Sequence, residues 1–467
     1  MRRTKIICTL GPATGKKETL QRLIKAGANV FRFNMSHAKH AWVREVVRQI
    51  RQLEQELERP VAILLDTQGP AIRTGPVSSD IELKEGDILE LRAGGVSPKE
   101  KYSVDVNYGG LINDVSAGDI VLVDSGVIQL RVIEKGRRRI RCEVIIGGTL
   151  GSHRHINLPG VHVRLPALTK KDLNDIALGV SLKVDFVALS FARQKGDIEE
   201  LRRVLKKRKS KALIIAKIEE QSAVRQVEEM IETADAIMVA RGDLGIEIPM
   251  EELPIIQRRI VKYCIRLGKP VIVATHMLES MIENPVPTRA EITDIVNAVF
   301  EQADAIMLSA ETTVGRYPIE CVEVFDRVAR RIERSGGAGF AKDAILEDAR
   351  QKTVASAVVL ANSLSNAKLI VFTRQGTRPR NVSNMRPEHA PIFAFTPTEE
   401  VYRQLVLSWG VYPIRLEFAS EPDGTIARAE KFLREARLTR KNDNLVIISD
   451  ASAEGGVIDS VQLRRAK

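Results

Sequence analysis

Lys217 and Glu219 stand two residues apart in the run "ALIIAKIE" (212–219), and Asp243 closes a second apolar run, "AIMVARGD" (236–243). Alternate residues of a strand share a face, so the ammonium and carboxylate of the first run point into one site. Two carboxylates from successive strands, completed by water and a phosphate oxygen, are the usual way a protein holds Mg²⁺. Gly242 and Gly245 flank Asp243. They permit a ligand close to the backbone, where a following helix would turn its N–H groups toward an anion. Each feature alone reads equally well as a structural ion pair or a turn. Together, with Arg32 and Arg73, they point to metal-assisted chemistry on a phosphate.

The two runs belong to a series. Short apolar stretches ending in polar residues or glycine recur at 5–12, 30–37, 61–69, 184–191, 212–219, 236–243, 270–277 and 304–311. Helical segments separate most of them. In "TRAEITDIVNAVFEQA" (288–303), Thr288 and Glu291 predict a capping box, and Ile292, Ile295, Val296 and Val299 predict one apolar face. Strands alternating with helices imply a parallel sheet, and eight units predict a closed (β/α)₈ barrel with its chemistry at the C-terminal strand ends. Arg32, Asn34, Ser36, Asp66, Ser190, Lys217, Glu219, Asp243, Thr275 and Glu311 fall at such ends. One polar residue there only starts a loop. Polar residues at nearly every end are a site.

The series breaks over 70–164, where short alternating runs with turn signals predict a small inserted all-β domain, a β-barrel. The catalytic barrel is then 1–69 and 165–335. Beyond "RSGGAG", the runs 369–376, 390–397 and 444–452 predict a C-terminal α/β domain over 345–467. Thr396, Pro397 and Glu399 read as cap, first-turn proline and box partner of the helix that follows.

Composition narrows the function classes. The 467 residues carry 44% hydrophobic and 28% charged side chains, those of a soluble protein of several domains. The net charge of +11 suits anions, but only 4% of residues are aromatic, which argues against base-stacking on nucleic acid. Cys8, Cys142, Cys264 and Cys321 show no metal spacing and read as free thiols of a reducing compartment. The basic start of the chain has too short an apolar stretch for a signal peptide. No run approaches the ~18 apolar residues of a membrane helix. A cytoplasmic location is expected.

Seven stretches, "TKIICTLGPAT", "RFNMSH", "LLDTQGPAIRTG", "AKIE", "MVARGDLGIEIP", "ATHMLESMIENPVPTRAE" and "IMLSAET", resemble the motif set of the pyruvate kinases, in the same order. The resemblance spans nearly the whole chain. It implies a cytoplasmic homotetramer that moves the phosphoryl group of phosphoenolpyruvate to ADP and then protonates the enolate to pyruvate, with Mg²⁺ (or Mn²⁺) and K⁺. It assigns Glu219 and Asp243 to Mg²⁺, and Lys217, assisted by Arg32, to the phosphoryl group in flight. The backbone at Gly242 and Asp243, with Thr275, would take the substrate carboxylate. Asn34, Ser36, Asp66 and Thr67 match the monovalent-cation ligands, and Arg73, His37 and Asn34 would meet the nucleotide. Thr275, Ser309 and Glu311 sit where a proton could reach the enolate carbon. His40, His153, His155, His162, His276 and His389 are read as structural.

Departures from the family pattern are Ala38, Arg164, Ala71 and the ending "DASAEGGVIDSVQLRRAK". In relatives, Glu at the position of Ala71 goes with a potassium requirement and Lys with independence. Gln68 favours independence, and Thr67 and Thr74 favour dependence. An empty pocket would leave Asp66 unpaired beside substrate phosphate, so activation by K⁺ is expected. The turn "TRQGTRPRN" (373–381) follows a strand where the family often binds a regulatory sugar phosphate or AMP. Thr373, Gly376, Thr377 and Arg378, with Arg374 and Arg380, are its candidate ligands, against the alternative of a basic loop at a subunit contact. Two other classes compete. An Mg²⁺-dependent barrel lyase would not need the "NMSH" and "DTQGP" set. A non-catalytic nucleic-acid-binding or regulatory protein would lose some rim residues, and no key one is missing.

Overall fold

The computed structural model describes residues 1–453 and 456–467, with side chains described outside 450–458, so part of the divergent C-terminal ending lies outside the described residues. Strands β1 (Lys5–Thr9), β2 (Val30–Asn34) and β3 (Ala62–Asp66) open the chain. The chain then leaves the barrel for β4 (Ile81–Leu83), β5 (Ile88–Ala93), β6 (Tyr102–Val106), β7 (Ile120–Val123), β8 (Ile128–Lys135), β9 (Arg139–Ile146), β10 (Gly148–Leu150) and β11 (Ile156–Asn157). It returns with β12 (Phe186–Leu189), β13 (Leu213–Ile218), β14 (Ala236–Ala240), β15 (Val271–Ala274) and β16 (Ala305–Leu308). The eight barrel strands close in the order β1-β16-β15-β14-β13-β12-β3-β2, every pair parallel.

Burial on both faces explains why these strands read as continuous apolar runs. Ile7, Leu64, Phe186, Ile215, Met238 and Met307 fill the barrel interior, while their neighbours Ile6, Leu65, Val187, Ile214 and Ile237 pack outward on the helices. The capping box at Thr288 and Glu291 forms, and Ile295, Ala298 and Val299 are the buried positions of its helix, with Ile292 and Val296 half-buried.

The insertion contains a six-stranded sheet, β11-β7-β8-β9-β5-β6, beside a two-stranded ribbon of β10 and β4. Leu111–Asp114 adds one helical turn to these strands. The regular ladder does not close into a barrel. Single bridges Arg73↔His155 and Thr74↔Val106 instead span its two edges.

The C-terminal sheet is β19-β18-β17-β20-β21, from β17 (Ala367–Phe372), β18 (Ile392–Thr396), β19 (Val411–Arg415), β20 (Asn444–Ala453) and β21 (Gly456–Arg465). The two outer strands have no counterpart in the sequence reading. β19 carries Pro413, which a strand tolerates at a sheet edge, and β21 returns antiparallel with half its residues polar. The helix after β18 also starts later than expected. Its N-cap is Thr398 without a side-chain cap bond, and it runs only Glu399–Gln404. The Thr396 hydroxyl accepts from Thr398 N at 3.2 Å, so it closes a turn before the helix instead of capping it.

This domain seals the N-terminal mouth of the barrel. Val406 and Leu407 join the cluster that fills the barrel interior. Asp304, just before β16, accepts from Arg386 Nη2 at 2.7 Å, Trp409 N at 3.0 Å and Val271 N at 3.0 Å. Among the described residues no helix is long and apolar enough to cross a membrane.

Lys5 lies in the same junction, its Nζ 2.6 Å from Val411 O and 5.0 Å from the centre of the Tyr412 ring. Burial, reinforced by Arg2, pulls its amine from 10.5 down to about 7. The unfolded chain keeps this proton up to 10.5, so folding pays for a buried charge below pH 7, and that cost fades as pH rises toward 10.5. Lys5→Met is therefore expected to raise the melting temperature, against a lost hydrogen bond of about 1 kcal/mol. The gain should be largest at pH 6 and smaller at pH 9.5. Equal shifts at both pH values would contradict this reading.

Candidate active site

The C-terminal strand ends face the insertion across a cavity of about 390 Å³ lined by Arg32, Asn34, Ser36, Thr67, Arg73, Lys217, Glu219 and Asp243, among others. At its base, Lys217 Nζ lies 2.6 Å from Glu219 Oε1, 2.9 Å from Ser190 Oγ and 3.4 Å from Asp66 Oδ1. The two-residue spacing on β13 does bring ammonium and carboxylate to one face. Burial works against the Lys217 charge, but Asp66 and Glu219 overcome it and hold the amine above its ordinary value. Burial pushes the Glu219 carboxyl up, Lys217 pulls against it and Asp243 adds to it. The second Glu219 oxygen accepts from Phe191 N at 2.6 Å.

Asp66 is fully buried. Its Oδ2 pairs with Arg32 Nε at 2.6 Å and its Oδ1 accepts from Ser190 Oγ at 3.0 Å. Burial alone would raise this carboxyl, but Lys217 and Arg32 together hold it below the usual range. The expectation that Asp66 stands unpaired without a monovalent cation is thus corrected: two cations of the chain already reach it. Arg32 is held in turn by Thr9 Oγ1 at 2.9 Å. Asn34 Oδ1 accepts from Ser36 N at 3.1 Å. Ala71 lines the cavity, while Thr74 is buried and spends its hydroxyl on Arg154 N.

Asp243 is not on the strand itself. It lies in the first turn of the helix Arg241–Glu247, which starts directly after β14. Among the described residues its carboxylate makes no hydrogen bond or ion pair. Gly242 N donates to Thr275 Oγ1 at 2.7 Å, and an added Cβ at Gly242 would lie 3.3 Å from His276 Cε1 and 3.4 Å from that hydroxyl. A side chain there would crowd both groups. Thr275 and His276 adopt left-handed φ of 71° and 53°, a conformation costing about 1–3 kcal/mol that its surroundings must enforce. Arg241 does so, donating to Thr275 O at 2.6 Å while pairing with Asp294 at 2.6 Å.

Glu311 is nearly buried, and its two oxygens accept from Leu278 N at 3.1 Å and Ser309 N at 2.6 Å. The Ser309 hydroxyl is buried and, among the described residues, has no hydrogen-bond partner. Thr275, Ser309 and Glu311 lie outside the cavity lining, and His37 is exposed and away from it. Arg73 faces the cavity and donates to His153 O at 3.0 Å.

Sequence reasoning placed Ser190 at a strand end of the site but gave it no role, although its hydroxyl touches Lys217, Asp66 and Thr67 O. It missed three further contributors. Arg241 and Thr9 act through partners far away in the chain. His155 was read as structural. It lines the cavity, its ring tilted on Phe191 at 5.9 Å, and burial lowers its pKa. For Ser190, Arg241 and Thr9, position beside a strand end was the one available signal.

In the C-terminal turn, Gly376 takes φ 87° and donates to Thr373 Oγ1 at 2.8 Å, opening the helix Thr377–Asn384. Arg378 is not free for a ligand as expected. It is buried and pairs with Asp459 at 2.5 Å. Arg374 is exposed, stacked 5.1 Å from the Phe418 ring centre.

The donor set suits a hard divalent cation. Glu219 and the unpartnered Asp243 offer carboxylate oxygens to one cavity, and substrate and water oxygens would complete the shell. Among the described residues no group of three or more His, Cys, Asp or Glu could hold a metal by itself.

The family model described as "Pyruvate kinase, barrel domain" matches residues 1–322, and "Pyruvate kinase, alpha/beta domain" matches 351–462. Pyruvate kinase 2 of Synechocystis sp. is 39% identical over all of this chain and 80% of its own length. The chloroplastic pyruvate kinase isozyme G of Nicotiana tabacum is 41% identical over 97% of this chain and 81% of its own. A pyruvate kinase of Staphylococcus aureus is 41% identical over 96% and 77%.

Proposed function

The chain belongs to the pyruvate kinase family, and from that premise we propose how its residues divide the transfer of a phosphoryl group from phosphoenolpyruvate to ADP, the glycolytic reaction that yields pyruvate and ATP. The observation that carries the assignment is the Lys217 ammonium, buried at the cavity base between Glu219, Ser190 and Asp66.

Phosphoryl transfer asks for charge neutralisation and in-line positioning more than for covalent chemistry. Lys217 stabilises the group in flight, and Arg32, fixed by Thr9 and Asp66, assists. The Gly242 and Asp243 backbone with the Thr275 hydroxyl receives the substrate carboxylate, which displaces the bond between Gly242 and Thr275. Arg73, with His37 and Asn34 at the rim, meets the nucleotide. The enolate carbon then takes its proton by way of Thr275, Ser309 and Glu311, and the unpartnered Ser309 hydroxyl supports its membership of that relay. Glu219 and Asp243 would hold Mg²⁺ or Mn²⁺, which would supply polarisation of substrate oxygens and offset phosphoryl charge. The proposed assembly is a homotetramer, which rests on the family resemblance.

Lys217→Met is expected to lose about 3–4 kcal/mol of transition-state stabilisation, as electrostatic groups typically do. Exchange of the methyl protons of bound pyruvate should survive better, because it needs the metal and the relay but no phosphoryl transfer. Asp243→Asn should lose both. Equal loss of transfer and exchange in Lys217→Met would sink the assignment.

Asn34, Ser36, Asp66 and Thr67 form the proposed K⁺ pocket, and its support is their oxygen chemistry beside Lys217, since Asp66 is already paired. We expect K⁺ to activate the enzyme and Ala71→Lys, which adds an ammonium at the cavity wall, to reduce the dependence. Full activity in a bulky quaternary ammonium buffer without potassium would show this to be wrong.

The turn 373–381 is proposed as an effector site for a sugar phosphate or AMP, with Thr373, Gly376, Thr377 and Arg374 as ligands. Arg378 would have to leave Asp459 to join them. Such an effector should lower the apparent KM for phosphoenolpyruvate, and Arg374→Ala should blunt the response at unchanged maximal rate. No shift across a panel of sugar phosphates and AMP would leave the turn as a basic surface.

A further inference from the structure

The helix Lys170–Ser181 is the first barrel helix after the chain returns from the insertion, and its first turn bonds to both loops of the proposed cation pocket. Lys171 Nζ donates to Met35 O at 2.6 Å. Met35 stands between Asn34 and Ser36, two of the pocket's oxygen ligands. One residue further on, Asp172 Oδ1 accepts from Gln68 N at 3.0 Å and Gly69 N at 3.1 Å, directly after Asp66 and Thr67. Gly69 takes a left-handed φ of 71° in that turn. The other Asp172 oxygen accepts from Thr169 N at 2.9 Å and Thr169 Oγ1 at 2.6 Å, within the capping box of the helix.

The two side chains are held there for different reasons. Asp172 is fully buried, and a buried carboxylate is tolerated only among donors, which Thr169 and the loop after β3 supply. The Lys171 side chain is 44% exposed, so burial does not force its ammonium inward. It reaches in to the Met35 carbonyl and to Asp175 Oδ2 at 2.6 Å. Asp175 is buried and braced on its other oxygen by His40 Nε2 at 2.6 Å. An ammonium beside a cation pocket repels the ion, and Asp175 offsets that charge. What Lys171 adds is therefore its bond to the loop. The loop's own bonds, His37 N and Ala38 N to Asn34 O and Ser36 N to Asn34 Oδ1, close it on itself. Lys171 ties it to the helix layer.

We propose that Lys171 and Asp172 are positioning residues of the monovalent-cation pocket. From one helical turn they fix the two loops that carry its oxygens, and so set its affinity for K⁺ and its preference over Na⁺. The inference rests on the reading of Asn34, Ser36, Asp66 and Thr67 as that pocket. Ligands are oriented by the groups behind them, and losing such a partner typically costs about 10–100-fold in metal affinity.

The test titrates the full-length protein with KCl against tetramethylammonium chloride at constant ionic strength. One readout is the K⁺ concentration that half-activates pyruvate formation. The other, taken without substrates, is the rise in melting temperature, which reports K⁺ bound to the folded state. Lys171→Met should move both K⁺ midpoints up about 10–100-fold, although removing a positive charge would by itself draw them down. Lys171→Arg keeps a donor and should recover most of the loss. Lys170→Met removes the same charge from the exposed neighbouring residue and should leave both midpoints in place. Asp172→Asn should raise them and narrow the margin of K⁺ over Na⁺. If that buried change prevents folding, Lys171→Met decides alone. Unchanged or lower midpoints in Lys171→Met overturn the proposal, as does an equal rise in Lys170→Met. So does a fall in melting temperature and maximal rate with the K⁺ midpoints unmoved, the mark of a merely structural contact. A wild-type protein that answers K⁺ in neither readout overturns the pocket itself, and the proposal with it. Variants that answer like a responsive wild type remove only the role of Lys171 and Asp172.

Discussion

Lys217 keeps a positive charge where the barrel interior would otherwise refuse one, 2.6 Å from Glu219 and 3.4 Å from Asp66. Removing an ion from water costs several kcal/mol even after relaxation, and only close, well-bonded partners repay it. The neighbourhood is built to that end. Asp66 is shared between Lys217 and Arg32, Ser190 ties Asp66 to Lys217, and Thr9 fixes the far side of Arg32. These residues come from β1, β2, β3 and β13 and from the end of β12, five strands that lie side by side in the sheet, so parallel pairing of their C-terminal ends is what makes the charge tenable.

The opposite end of the barrel solves a different problem. A barrel floor left to water would expose apolar interior, and here Val406 and Leu407 of the C-terminal domain cover it. The buried pair of Arg386 and Asp304 fixes the orientation of that cover. Pairs of this kind add little net stability but penalise misalignment heavily, because either partner alone would be a buried unpaired charge. The two domains are joined with defined register, so a displacement on one side is felt on the other.

The barrel was legible in the sequence because both faces of each strand are buried, which writes it as an apolar run with a polar end. The site was legible to the same extent: strand ends carried Lys217, Glu219, Arg32 and Asp66. What the sequence hid were relations between distant residues. Nothing near Arg241 announces Thr275 and Asp294 as its partners, and nothing near Asp66 shows that Arg32 and Lys217 both reach it. Local signals also misled at Thr396, where a plausible cap, proline and glutamate precede a helix that starts at Glu399. The edge strands β19 and β21 were missed because an edge buries one side at most and needs no apolar run.

The hydrogen bond between Gly242 N and Thr275 Oγ1 has a consequence for selectivity. A ligand entering there meets donors already satisfied by an incumbent, so binding is an exchange of acceptors. Replacing one neutral acceptor by another, as an ester or amide of the substrate would, conserves the number of bonds and gains almost nothing. A carboxylate brings charge to the same donor, and charge-assisted bonds are roughly twice as strong as neutral ones. The occupied donor thus acts as a threshold: acids cross it and their neutral analogues do not, without any steric wall to exclude them.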